Sequence, residues 1–345
     1  MNIAIVFGGK SFEHEISIVS AISMKKVLKH TLTYIFIDKN REFYLIPTKT
    51  IKSNLFSSSE YKKYDKLQLK QGGFYKSSFF GEKKIEYDVV LNLAHGGDGE
   101  DGVLASLFEF FNIPFIGPRN VASVVSFDKS ITKSYAKDCN VKTLPFIYYD
   151  RTKKLDIKEF PIIVKPCKLG SSIGISIVKT KEELDYTLDV AFEFDDSVII
   201  EPFIKGVKEY NLAGAKIDKG FYFSIVEEPK KGEFLDFDKK YLDFSRTSKV
   251  LAADISKELA QKLKDNFIKI YNNRFDGSLI RCDFFVIDGE VYINEINPIP
   301  GSMASYLFED FNGLIEKLSK SLPKQKDILI TYEYINKIES AKGKA

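Results

Sequence analysis

RCDFFVIDGEVYINEIN, residues 281–297, reads as two extended runs joined around Asp288-Gly289, and the pattern breaks just beyond at Pro298 and Pro300. Strand side chains alternate faces, so Arg281 shares a face with Asp283, and Glu295 with Asn297, each pair about 6.6 Å apart. Whether the two pairs meet depends on the turn. A two-residue Asp-Gly turn pairs Ile287 with Glu290 and, in a regular ladder, sends Asp283 and Glu295 to opposite faces. A three-residue loop of 287–289, with Gly289 left-handed as a bulge, pairs Val286 with Glu290 and gathers all four on one face. The bulged register is the expectation, because a guanidinium, two carboxylates and an amide are costly to collect unless they bind something. Hard oxygen donors suit Mg²⁺ or Mn²⁺, which keep waters and share phosphate oxygens. A structural network of arginine and carboxylates is the alternative.

The rest of the chain sets the context. Its 345 residues exceed one ordinary core and imply two or three domains. With 51 basic against 48 acidic residues, the formal charge of +3 carries no bias toward nucleic acid. Cys139, Cys167 and Cys282 are widely spaced, which argues against a disulfide framework or zinc site and fits a reducing cytoplasm. No apolar run approaches the roughly 20 residues of a membrane span, and the N-terminus lacks a basic leader, so a soluble cytoplasmic protein is expected.

Short apolar runs alternate with helical patterns, the mark of an α/β protein. Strands are expected at 2–7, 33–37, 43–46, 88–93, 161–166, 175–178, 197–201, 210–217 and 221–226, and helices at 15–29, 102–111, 128–138, 181–191 and 254–273. Gly117-Pro118 and Pro202 divide these into an N-terminal domain (1–117), a smaller central one (118–202) and a C-terminal one (203–333), with a polar tail at 334–345 expected to fray.

Two phosphate motifs fail on inspection. GGKS at 8–11 resembles the end of a Walker A loop, but the required earlier glycine falls at Ala4. GDGEDG at 97–102 has GxGxxG spacing, yet Asp98, Glu100 and Asp101 would oppose a pyrophosphate. KPCKLGSSIG at 165–174 is better suited: Lys165 leaves an apolar strand, and Gly170, Ser171, Ser172 and Gly174 make a donor-rich loop able to wrap a polyphosphate. Taken alone, that loop is equally a hairpin turn beside a surface lysine. Its coincidence with the acidic hairpin tilts the reading toward a metal nucleotide.

These residues carry a resemblance. VFGGKSFEHEIS, LAHGGDGEDG, PIIVKPCKLGSSIGIS, VIIEPFIKGVKEYN, KKYL, and RCDF through EINPIPGS, in that order along the chain, resemble the ATP-grasp ligases, and within them the D-alanine:D-alanine ligases. The resemblance implies an ATP-grasp fold, with a Rossmann-like N-terminal domain followed by two α+β subdomains that sandwich ATP. It implies that ATP phosphorylates one D-alanine, that a second D-alanine's amine attacks the acyl phosphate, and that the dipeptide serves peptidoglycan synthesis in a bacterial cytoplasm. A homodimer is also implied. By the same match, Asp283, Glu295 and Asn297 hold two Mg²⁺ or Mn²⁺ ions. Lys129, Lys165, Ser171 and Ser172 lie at the phosphates of ATP, with Lys240 at the transferring group. Glu201, Phe203 and Ile204 lie at adenine, and Glu209 at ribose.

On the amino-acid side, the resemblance places Glu13 at the first D-alanine's ammonium, in a network with Ser171 and Tyr241, and His95 near its carboxylate. Arg281 and the Gly301 backbone would stabilise the tetrahedral oxyanion. The chain departs from the common pattern in IPGSMASYL, where Tyr306 stands in place of a serine that binds the second substrate's carboxylate, and in the lid near 229–249, where Phe237 replaces a frequent tyrosine. Two other readings remain: a nucleotide-binding regulator without turnover, disfavoured by the presence of Lys240, Arg281 and the metal set, and a ligase for another amino-acid pair. Tyr241 favours a D-alanine amine over D-lactate as acceptor.

Overall fold

A computed structural model of the chain describes residues 1–229 and 250–342. The N-terminal sheet contains β1 (Asn2–Gly8), β2 (Thr31–Ile37), β3 (Phe43–Ile46), β4 (Lys66–Lys70), β5 (Gly73–Ser78), β6 (Gly81–Lys84), β7 (Val89–Asn92) and β8 (Phe115–Ile116). Its order is β6-β5-β4-β3-β2-β1-β7-β8, parallel from β2 to β8 and antiparallel beyond. Helices α1 (His14–Val27), α2 (Ser53–Ser57) and α3 (Val103–Phe110) belong to this part. Ile3 to Phe7 are fully buried, as in a parallel strand covered on both faces. The loops after β1 and β7 emerge side by side where the strand order reverses, the usual place for a ligand crevice. Gly8 there has φ +98°, and a Cβ would lie 2.2 Å from the Ile37 carbonyl oxygen, so only glycine fits.

Next come α4 (Asn120–Phe127), α5 (Lys129–Asp138), β9 (Ile147–Tyr149), β10 (Ile162–Pro166), β11 (Ser176–Val178), α6 (Leu184–Phe192) and β12 (Val198–Pro202). Their antiparallel sheet, β11-β10-β12-β9, packs Val164, Val178 and Val198 against Leu188 and Ala191 of α6. The last sheet, β14-β13-β15-β16, comprises β13 (Lys208–Ile217), β14 (Gly220–Glu227), β15 (Ile280–Ile287) and β16 (Glu290–Asn297). Its apolar face buries Cys282, Phe284, Ile293 and Ile296 with Leu263, Phe267 and Ile270 of α7 (Lys257–Tyr271). Helix α8 (Phe311–Lys320) returns to the N-terminal core, where Leu314, Ile315 and Leu318 join Ile3 and Ile5.

Two expectations need correction. The hairpin uses the tight turn: Ile287 pairs with Glu290, and Asp288 and Gly289 are both left-handed at φ 50° and 77°. The extra residue lies inside β16 instead, where the ladder steps from Phe284–Ile293 to Asp283–Glu295 and leaves Asn294 as the bulge. Arg281 then pairs with Asn297, so all four polar residues still share a face. The tail is also more ordered than expected. Residues Glu333–Lys342 form helix α9, exposed throughout, with Glu333 and Lys337 ion-paired one turn apart at 2.5 Å. No helix among the described residues is long and apolar enough to cross a membrane.

Candidate active site

The polar face of β15 and β16 is built around Asp283, which is 2% exposed. Arg281 Nε donates to Asp283 Oδ1 at 2.7 Å and Nη2 to Oδ2 at 2.8 Å, a two-pronged contact. Asn297 Nδ2 donates to Oδ2 at 3.0 Å, which leaves the Asn297 carbonyl oxygen to serve a cation. Burial pushes Asp283 up to about 7, with Glu295 and Glu209 adding to the rise and Arg281 opposing it, while Asp283 holds the Arg281 guanidinium above its ordinary value against its own burial. Asn211 of β13 completes the rung opposite Asp283. Among the described residues no cluster of three His, Cys, Asp or Glu forms a closed cation cage. Two carboxylates and an amide fit Mg²⁺ or Mn²⁺, which take one or two carboxylates and fill their shell with phosphate oxygens and water.

Facing it is the donor-rich loop after β10. Lys165 Nζ lies 2.6 Å from Glu201 Oε2 and donates to Asn294 Oδ1 at 3.2 Å, so the bulge directs Asn294 onto Lys165. The other Glu201 oxygen meets Lys133 of α5. Burial would raise the 1%-exposed Glu201, yet the two lysines hold it below the usual carboxylate range. Lys129 opens α5 behind the Asp128 cap, which accepts from Ser130 and Ile131 N–H groups, and its ammonium donates to the Leu169 carbonyl at 2.5 Å. Burial lowers its pKa. Ser171 and Ser172 are left-handed, φ 55° and 59°. Phe203 and Ile204 lie on the link from β12 to β13, with Phe203 N–H on the Pro161 carbonyl at 3.0 Å, and Glu209 follows on β13.

The N-terminal sheet contributes the third side. Glu13, just before α1 and 5% exposed, accepts from Ser171 Oγ at 2.5 Å across 158 positions of sequence. Its Oε2 is buried without a hydrogen-bond partner, and burial, then Glu100, raises its pKa. His95 meets Ser20 Oγ at 2.9 Å through Nε2 and Glu100 Oε1 at 3.4 Å through Nδ1. Burial takes His95 down to about 4 and Glu100 up to about 8, so near neutrality the pair is uncharged. Ser20 also accepts from Ser302 N–H at 2.9 Å. Gly301 begins a turn in which Ser302, Met303 and Ala304 are all left-handed, φ 47–54°, at a cost of roughly 1–2 kcal/mol each that their near-complete burial offsets. Tyr306 is buried and its hydroxyl donates to Glu227 Oε2 at 3.4 Å, which Asn211 Nδ2 also reaches at 3.3 Å.

Glu295 acts electrostatically on Lys129, Glu100, Arg281 and Asp283, which ties the three sides into one site. Lys240, Tyr241 and Phe237 lie outside the described residues. Asn294, Lys133 and Glu100 are members that sequence reasoning did not single out. The signal for Asn294 was present: the apolar spacing Val291, Ile293, Ile296 lengthens from two to three where the bulge falls.

Two family models match the chain, "D-ala D-ala ligase N-terminus" over residues 2–118 and "D-ala D-ala ligase C-terminus" over residues 150–311. The D-alanine–D-alanine ligase of Wolinella succinogenes is 59% identical over 345 residues, covering both chains fully, and that of a Sulfurovum species is 60% identical over 347 residues, again in full. The crystal structure of D-alanine–D-alanine ligase from Helicobacter pylori superimposes with a TM-score of 0.85 at 51% identity, over 94% of this chain and 100% of that one. With both halves of the family model in order on this fold, the chain belongs to the D-alanine–D-alanine ligase family.

Proposed function

We propose that the protein is an ATP-dependent ligase that joins two D-alanines into D-alanyl-D-alanine through an acyl phosphate, supplying peptidoglycan synthesis. The observation that carries this reading is the Glu13–Ser171 hydrogen bond. A buried carboxylate with one bare oxygen suits a substrate ammonium, and its other oxygen is bonded to the loop suited to ATP phosphates. Ammonium receptor and phosphate cradle are thereby held at one junction, as a carboxylate-to-phosphate transfer requires. In this reading Lys129, Lys165, Ser171 and Ser172 bind the phosphates, Phe203, Ile204 and Glu201 border adenine, and Glu209 accepts from ribose. Asp283, Glu295 and Asn297 would hold the Mg²⁺ or Mn²⁺ ions, which when bound neutralise charge on the transferring phosphate.

The remaining steps belong to protein groups. The amine of the second D-alanine attacks the acyl phosphate, an oxyanion develops, and inorganic phosphate departs. Arg281, kept charged by Asp283, and the Gly301 backbone are the stabilising donors on that side. Neutral His95 near the first carboxylate avoids a competing ion pair. By the resemblance, Lys240 would neutralise the transferring group and Tyr241 would join the Glu13–Ser171 network. Phosphate release from ATP with Mg²⁺ tests the reading, comparing no addition, D-alanine, L-alanine, and D-alanine with D-lactate, with product mass recorded. D-alanine-dependent release with a D-alanyl-D-alanine mass is expected. Nucleotide binding without amino-acid-dependent release would overturn it.

A further inference from the structure

The Glu13–Ser171 bond joins two loops from different sheets, and a third segment touches both loops. Residues 168–174 are gripped at both ends by the segment just after α6. Asp195, with a side chain 6% exposed, accepts from the Lys168 N–H at 2.6 Å and lies 3.4 Å from its ammonium. At the far end Gly174 presses on the Phe194 ring: a Cβ there would lie 2.8 Å from Phe194 Cδ2. The same ring receives the N-terminal loop, since Phe12 meets Phe194 edge to face with centroids 5.5 Å apart. Phe12 is 63% exposed and directly precedes Glu13, so the core gives it little else to pack on. Together Phe12, Phe194, Lys168 and Asp195 line a cleft of about 350 Å³ beside the site.

We propose that Phe194 is a positioning residue: by seating Phe12 and Gly174 on one ring, it fixes the Glu13 loop against the phosphate loop and couples binding of the nucleotide to binding of the first amino acid. The inference rests on the functional reading above for the identity of the two ligands. An aromatic pair of this geometry corresponds to about a two- to tenfold change in a binding constant.

The test uses the full-length protein and the variants Phe194→Ala, Phe12→Ala and the double variant, with Phe194→Tyr as the conservative control. Calorimetry gives the affinity for a non-hydrolysable ATP analogue with Mg²⁺, with and without D-alanine, and steady-state kinetics give KM and kcat. Phe12→Ala, being a surface change, keeps the fold. It should raise the KM for D-alanine at the first site two- to tenfold with kcat changed less, and should remove the mutual enhancement between ATP and D-alanine. The double variant should be no worse than Phe194→Ala alone, and Phe194→Tyr should restore the wild-type values. Additive losses, or a Phe12→Ala variant with wild-type coupling, would overturn the clasp. Wild-type protein that binds ATP but shows no D-alanine-dependent turnover would count against the functional reading, and the ATP affinities of the Phe194 and Phe12 variants would still decide whether the two loops share the ring.

Discussion

Replacing Lys133 by Met removes one of the two cations on Glu201, at a place where the lysine side chain is 2% and the carboxylate 1% exposed. Methionine fills similar volume, so the lost quantity is charge. Breaking a buried ion pair by deleting one partner costs about 3–5 kcal/mol, because the remaining charge has neither water nor a counterion. Here Lys165 stays 2.6 Å from the other carboxylate oxygen, so the expected loss lies near the lower end, about 3 kcal/mol. There is a second consequence for function. With Lys133 gone, Glu201 draws Lys165 more strongly, away from Asn294 and from its proposed place at the ATP phosphates. Urea unfolding of the ligand-free protein measures the first effect and the KM for ATP the second. Adding Glu201→Gln to Lys133→Met should recover part of the stability, since it removes the stranded charge. A Lys133→Met protein as stable as wild type, or a double variant with the two losses simply summed, would refute the argument that Glu201 is ionised and needs both lysines.

Three further outcomes follow from the same geometry. Glu295→Gln should fold with nearly unchanged stability and lose turnover by two or more orders of magnitude; wild-type turnover in the D-alanine assay would remove Glu295 from the metal set. Gly170→Ala introduces a Cβ 2.9 Å from Glu13 Oε1, displacing it from Ser171, and should raise the KM for D-alanine about tenfold while the KM for ATP moves less, as steady-state kinetics would show. For pH, Glu100 is raised to about 8 from 4.5, so its protonated form contributes stability below pH 4.5 that is lost as pH rises toward 8. His95, lowered to about 4 from 6.5, acts in the opposite sense between pH 4 and 6.5. From pH 6.5 to 8 His95 no longer contributes, Asp283, raised to about 7, adds to the fall only up to pH 7, and the Glu100 effect amounts to at most ~2 kcal/mol, discounted because the side chain is 15% exposed. Calorimetric melting of the ligand-free protein should fall by a few degrees across that window, and Glu100→Gln should flatten the fall; an unchanged slope in the variant would refute the assignment.

Much of this architecture was legible because burial imposes period on sequence. NIAIVF reads as a doubly covered strand because Ile3 to Phe7 are apolar at every position, and the shorter apolar runs at 162–164 and 198–200 mark β10 and β12, whose Lys165 and Glu201 then stand out as buried charges. Strands β4 to β6 were not singled out: KLQLK and GFYKSS each bury one large apolar residue, Leu67 and Phe74, in runs too short and polar to stand out, and GEKK is exposed along its length, so hydropathy gives it no signature. The site residues that lie on strands or next to glycines, such as Lys165, Asp283 and Glu295, could be found by spacing. Lys133 could not, because a lysine in KSITKSYAKD looks like one more solvated helix charge until the fold places Glu201 beside it.

The hairpin shows where such reasoning must be exact about cause. Gathering Arg281, Asp283, Glu295 and Asn297 on one face requires one extra residue somewhere between the strands, and function alone does not say where. Local chemistry does. Asp288-Gly289 can supply two consecutive left-handed residues, which favours the tight turn and removes the need for a loop bulge. The apolar residues of β16 must still reach the α7 core, and Val291, Ile293 and Ile296 do so only if the strand gains a residue between Ile293 and Ile296. Packing thus locates the bulge at Asn294, and the bulge gives a side chain that a regular ladder would have paired with Asp283 a contact with Lys165 instead. The same residue satisfies the core's register and supplies an acceptor to Lys165, the lysine proposed to bind phosphate. Asn294→Ala, which keeps the bulge and removes only the amide, should therefore lower the unfolding free energy by about 1–2 kcal/mol through loss of one charge-assisted hydrogen bond, and weaken ATP binding several-fold as Lys165 loses its orientation. Equal ATP affinity in that variant would mean that the bulge serves packing alone.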